Sequence, residues 1–283
     1  MEPERRDSGP PLPPGPGGVL PILLSIALVA FLLAGFLTLG SLVEWLRPGG
    51  IDDPVNLLFV GLVVFPLAIF VGLRLDPQGF DSLSVGLGLR PPRSTTAVFA
   101  LLFGLAAVLP LAELDNILQS FLPQTAEEQT SMLQLVSFED WLSHVAKIGA
   151  IAVVTPIGEE VIFRGIVLRW LRRSYGRAAG LLVSSFLFGL AHLSLRLFVP
   201  VFVLGLAFAW IADRSRSVLP TIVAHAAYNA VPFLFPPDVA DVPGWTPTPD
   251  LAVGHLPPLW VVGSSVACLL LLYLIWWSTL RRD

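Results

Sequence analysis

Apolar stretches of nearly membrane-spanning length recur along this chain, separated by short segments where proline, glycine and charged residues gather. An α-helix rises 1.5 Å per residue, so crossing a hydrocarbon core about 30 Å thick takes roughly 20 residues. Windows of that kind predict eight spans, at roughly 19–45, 55–74, 95–113, 145–169, 178–195, 197–212, 218–235 and 258–280. The fifth and sixth are short and closely spaced. Pro21, Pro66 and Pro110 fall within spans and predict kinks rather than ends. The expected fold is therefore an all-α, polytopic membrane bundle of about eight transmembrane helices.

Composition agrees with that pattern. Hydrophobic residues make up 54% of the chain and charged ones 13%, about half the charged fraction usual in a soluble globular protein. Residues 1–18, rich in Pro and Gly with scattered charge, predict a disordered tail, and 19–283 a single membrane domain. The first apolar run, Val19 to Val43, exceeds a signal-peptide core of about 7 to 15 residues and predicts a retained helix. Cys268 stands alone, so neither an internal disulfide nor a CxxC metal site is possible. The net charge is −4 and no basic run of nucleic-acid type occurs, so no nucleic-acid partner is expected.

Charge also predicts orientation, because Lys and Arg collect on the cytoplasmic side. With eight spans and both termini cytoplasmic, the inner segments hold Arg74, Arg90, Arg93, the Arg169–Arg177 group, Arg214, Arg216 and the terminal arginines. The outer segments receive only Arg47, Lys147 and Arg196. Acidic residues show the opposite bias and crowd the connection from Glu113 to His144, which is either a cap on the outer side or a solvated loop.

Candidate chemistry lies inside the spans. An ionisable residue at membrane depth costs on the order of 2.5 to 3.5 kcal/mol and is usually functional. The fourth span holds Glu159, Glu160 and Arg164 within two turns. Glu160 and Arg164, four apart, can pair on one face; Glu159 points about 100° away and needs another partner or a water-filled cavity. The fifth span carries Phe188 and His192, and the seventh His225 and Asn229. His225 and Asn229 are four apart, so one helical face can offer two hydrogen-bond donors to one point. Measured from the predicted cytoplasmic helix ends, Glu159 lies about 15 Å deep, His192 about 21 Å, His225 about 10 Å and Asn229 about 16 Å.

Glu159-Glu160-x-x-x-Arg164, Phe188-x-x-x-His192 and His225-x-x-x-Asn229, in that order on successive helices, resemble the motifs of the type II CAAX prenyl endopeptidase family, the CAAX proteases and bacteriocin-processing enzymes. The resemblance covers about residues 145–232. It implies hydrolysis of a peptide bond within the membrane, without a covalent enzyme intermediate, on a membrane-embedded or lipid-anchored peptide or protein. It also implies Glu159 as the base that activates water, with His192 helping to hold it, and His225 and Asn229 as oxyanion donors. Glu160 and Arg164 would orient the site, and Phe188 would pack beside His192. No cofactor is expected; the alternative is a zinc site built from Glu159, His192 and His225. A non-catalytic scaffold or bacteriocin-immunity protein and a transporter are the readings outside catalysis.

Overall fold

The computed structural model describes residues 18–47, 53–76, 86–138, 140–236, 242–246 and 252–280. The expected N-terminal tail lies outside them, apart from Gly18. Every secondary-structure element among the described residues is helical. In chain order these are α1 (Leu20–Leu46), α2 (Pro54–Leu75), α3 (Ser94–Gln119) and α4 (Ala126–Val136). A continuous helical run follows, made of α5 (Trp141–Ile148), a π-helical segment Gly149–Val154, α6 (Thr155–Glu160), a second π-helical segment Val161–Val167 and α7 (Leu168–Tyr175). Then come α8 (Arg177–Leu190), α9 (Leu195–Ser215), α10 (Leu219–Leu234) and α11 (Pro258–Leu280).

Five of these, α1, α2, α3, α9 and α11, are long and apolar enough to cross a membrane. The chain is an integral membrane protein of helical architecture. The other expected spans take different forms. The fourth is the run interrupted by π segments, while α8 and α10 have 14 and 16 residues, about 21 and 24 Å at the α-helical rise. Pro66 and Pro110 sit inside α2 and α3 as expected, but Pro21 lies at the start of α1. There its missing N–H costs nothing and it introduces no kink.

The predicted third span runs on to Gln119, and the acidic connection beyond it folds into the short helix α4. Thr125 and Glu128 form a capping box at its start: the Thr125 hydroxyl accepts from Glu128 N–H, and the Glu128 carboxylate accepts from Thr125 N–H at 2.8 Å. These bonds, to the backbone first, hold the Glu128 carboxyl below its ordinary range. At the other end the buried Lys147 ammonium donates to Gln134 O at 2.6 Å and Ser137 O at 3.1 Å, satisfying terminal carbonyls of α4 and tying it to α5.

The interior divides into two apolar clusters. One joins α1, α2 and α8 to the interrupted run, with Phe163, Ile166 and Phe188 at its heart. The other joins α3, α9, α10 and α11 around Phe103, Phe208 and Ile275. Large apolar side chains of α1, α2, α3 and α11 face outward, as helices surrounded by lipid require. Two close approaches depend on glycine. A Cβ at Gly158 would lie 2.2 Å from the Phe65 ring, and one at Gly104 would lie 2.0 Å from Ala224 O. The first lets α2 pack against the glutamate-bearing helix, and the second presses α3 onto α10 beside His225.

Candidate active site

The ionisable cluster sits on the seam between the two apolar clusters, where α6 and the second π segment meet α8, α9 and α10. Proline shapes the helix on which it stands. Thr155 N–H reaches Ala150 O, a five-residue π spacing. The next bond of that spacing, from residue 156 to Ile151 O, cannot form because Pro156 has no N–H. Asn229 supplies the missing donor: its Nδ2 reaches Ile151 O at 2.9 Å. The side chain thus locks α10 to the helix carrying both glutamates, and its second N–H does not take part in that bond.

Glu160 and Arg164 pair as their spacing predicts, Nη1 to Oε1 at 2.8 Å, with both side chains buried. Arg164 also donates from Nη2 to Gly205 O at 3.2 Å. Its guanidinium carbon lies 4.2 Å from the centre of the Phe188 ring and 5.6 Å from that of Phe208. The positive group is therefore held by a carboxylate, a carbonyl and two aromatic faces, which offset its desolvation.

His225 is buried and joins the two glutamates. Its Nδ1 lies 3.0 Å from Glu160 Oε1 and its Nε2 3.8 Å from Glu159 Oε2. A carboxylate can only accept, so Nδ1 carries a proton and Nε2 is the atom that faces Glu159. Glu159 Oε2 is buried and has no hydrogen-bond partner among the described residues. The two atoms are too far apart for a direct hydrogen bond, and two atoms at that separation can share one water only where the surrounding side chains move to make room for it.

Phe188 is the hub of the aromatic contacts. Its ring centre lies 5.1 Å from Phe163, 5.0 Å from His192 and 6.0 Å from His225, each edge to face. His192 departs from the sequence expectation, because α8 ends at Leu190 and places it in the turn before α9 instead of inside a span. That turn is fixed by Leu193, at a φ of 52°, and by the Ser194 hydroxyl, which accepts from Leu197 N–H and caps α9. His192 Nδ1 donates to Phe188 O at 3.0 Å, leaving Nε2 as the free acceptor in the neutral ring. The residue is exposed at the surface of the fold.

The structure thus brings Glu159, Glu160, Arg164, Phe188 and His225 into one group, with His192 and Asn229 at its edges. Sequence reasoning missed Phe208, 5.3 Å from the His225 ring, Gly205 and the Ile151 carbonyl. Phe208 and Gly205 lie in the apolar stretch 197–212 of α9, where no charged residue signals them. The carbonyl was detectable only through Pro156, whose absent N–H implies an orphan acceptor. Among the described residues, no three His, Cys, Asp or Glu side chains are grouped so as to hold a metal ion.

No curated protein and no solved structure matches the chain. A family model does, and it covers the stretch that builds the site from the start of α5 to just beyond Asn229: residues 141–231 match the type II CAAX prenyl endopeptidase Rce1-like family.

Proposed function

We propose that this protein is an intramembrane endopeptidase that cleaves a peptide bond of a membrane-associated protein or peptide with water activated by Glu159. The observation that carries the reading is the buried Glu159 Oε2, without a protein hydrogen bond, facing His225 Nε2 across 3.8 Å. Cleaving an amide needs a base for water, donors for the developing oxyanion and a proton for the leaving amine. Glu159 is free to act as that base because its neighbour takes the arginine. Glu160 Oε2 is also buried without a hydrogen bond among the described residues; what sets Glu160 apart is that Arg164 and His225 both hold its Oε1, which suits it to position groups.

Glu159 takes the water proton as the oxygen attacks the carbonyl carbon, and His192 Nε2 accepts the second water hydrogen to hold the nucleophile. His225 keeps Nδ1–H on Glu160 and offers Nε2–H to the oxyanion, together with the second Nδ2–H of Asn229. Glu159 then returns its proton to the departing amine. No serine or cysteine nucleophile and no cofactor takes part. The family match supports a substrate held in or at the bilayer, and the charge distribution supports eight crossings with both termini cytoplasmic.

The test is cleavage of a hydrophobic or prenylated reporter peptide by protein reconstituted in vesicles. Glu159→Gln is expected to abolish turnover while leaving the thermal midpoint intact, and a strong chelator is expected to leave wild-type turnover unchanged. Full activity in Glu159→Gln sinks the proposed base, and loss on chelation reversed by added zinc sinks the metal-free route.

A further inference from the structure

Away from the glutamate site, α7, α8, α9 and α11 bring their ends together around a pocket of about 340 Å³. Its polar wall consists of Arg172, Arg177, Asp213, Arg214, Arg216 and Thr279. Asp213, on the last turn of α9, pairs with Arg172 at 2.5 Å and with Arg177 at 2.5 Å. Its own side chain is only 5% exposed, whereas the two arginines remain 50% and 49% exposed. The carboxylate therefore fixes two guanidinium groups in place without covering them.

Arg214 and Arg216 have no carboxylate partner among the described residues, and Arg214 Nε is buried without a hydrogen bond. Arg216 closes α9 in the left-handed conformation, at a φ of 54°. Four guanidinium groups thus line a wall that holds one carboxylate among the described residues, and that carboxylate pairs with two of them; the net charge of the whole chain is −4. A second feature of the same wall has the same sign. Helix α8 begins at Arg177 behind Gly176, which has no side chain to cap the first N–H groups, so the positive end of the helix dipole lies at the pocket.

Guanidinium forks match phosphate oxygens in shape and charge. The setting selects the source of the phosphate. Helix α11, which supplies Thr279, is the least buried of the candidate spans. Its exposed Leu269, Leu270, Tyr273, Trp276 and Trp277 lead along the helix toward the pocket, the last two in the place of an interfacial aromatic belt. An acyl chain lying on that face would put its headgroup among the arginines.

We propose that this pocket binds the phosphate of an anionic phospholipid headgroup, with the acyl chains along α11. The site joins α7, on the run that carries Glu159, to α9, whose Gly205 carbonyl holds Arg164. It does not depend on the protease reading.

Native mass spectrometry of the full chain in neutral detergent, titrated with phosphatidylglycerol or phosphatidylcholine, tests it. Wild type is expected to retain phosphatidylglycerol in preference to phosphatidylcholine, and Arg214→Gln with Arg216→Gln to reduce that retention on the order of tenfold. Arg74→Gln, which removes an exposed charge from α2, is expected to leave it unchanged. Thr279→Asp, which adds a negative charge at the rim from α11, is expected to reproduce the loss without touching the arginines. Equal retention in wild type and both pocket variants, or an equal loss in Arg74→Gln, overturns the proposal. Displacement of the lipid by millimolar inorganic phosphate also overturns it, by assigning the pocket to the free ion.

Discussion

Replacing Gly104 with alanine places a methyl carbon 2.0 Å from Ala224 O and 2.8 Å from the carbon of the same carbonyl. Nonbonded carbon contacts are comfortable near 3.5 Å, so α3 and α10 must separate by roughly 1 Å or more. Both contacting groups are backbone, and no rotamer change can relieve them. His225 follows Ala224 directly and moves with it. Its 3.0 Å contact with Glu160 then stretches beyond hydrogen-bond range, and Nε2 shifts relative to Glu159. Overpacking of this kind costs about 1–3 kcal/mol, and a misplacement of about 1 Å in a catalytic group can cost on the order of 100-fold in rate. Gly104→Ala is therefore expected to lower the thermal midpoint and to reduce reporter-peptide turnover by about two orders of magnitude. Gly263→Ala on α11, where nothing lies within 4 Å of the added carbon, is the control, expected to retain turnover and to gain up to about 1 kcal/mol from helix propensity. Wild-type stability and turnover in Gly104→Ala would refute the claim that this contact sets the position of His225.

Three further outcomes follow from the same geometry. Arg164→Met removes the counter-charge from a fully buried Glu160 and is expected to cost about 3–5 kcal/mol, with Glu160→Gln in the same background recovering part of it; strictly additive effects in a double-mutant cycle read by denaturant unfolding would argue against the pair. Asn229→Ala leaves Ile151 O without its donor, so a loss of about 1–3 kcal/mol is expected, and hydrogen exchange at the Gly149–Val154 segment should rise, whereas a purely catalytic role would leave exchange unchanged. The Glu128 carboxyl is held below its ordinary range by its bonds to Thr125, backbone first. Its folded-state affinity for protons is lower than in the unfolded chain, so the stabilisation is present above the ordinary glutamate range and is lost as pH falls through the depressed value. Amide exchange at the start of α4, corrected for intrinsic rates, should therefore rise on acidification in wild type, and an equal rise in Glu128→Gln would contradict it.

Much of this protein can be read from sequence because the bilayer imposes simple rules. A charge-free run long enough to cross it has few alternatives to a helix, so α1, α2, α3, α9 and α11 were visible as windows of apolar residues. The Glu160–Arg164 pair was visible as a four-residue spacing, and the contact of Phe188 with His192 likewise. Each of these depends on local periodicity, which a linear chain carries in full.

Contacts between distant segments were not readable in that way. Nothing in the order of residues states that Pro156 leaves an Ile151 carbonyl for Asn229 on α10, or that Gly104 lets α10 come close enough for His225 to reach Glu160. The two π segments, the early end of α8 that puts His192 in a turn, and the helix within the acidic connection reflect competition between backbone hydrogen bonding and packing against neighbours. That competition is decided by distances across the bundle, and only the folded chain has those distances. The sequence alone determined which residues carry charge and which stretches are apolar enough to span a bilayer; the tertiary structure decided which charged groups meet, because pairing buried charges requires helices far apart in the chain to pack at a fixed separation.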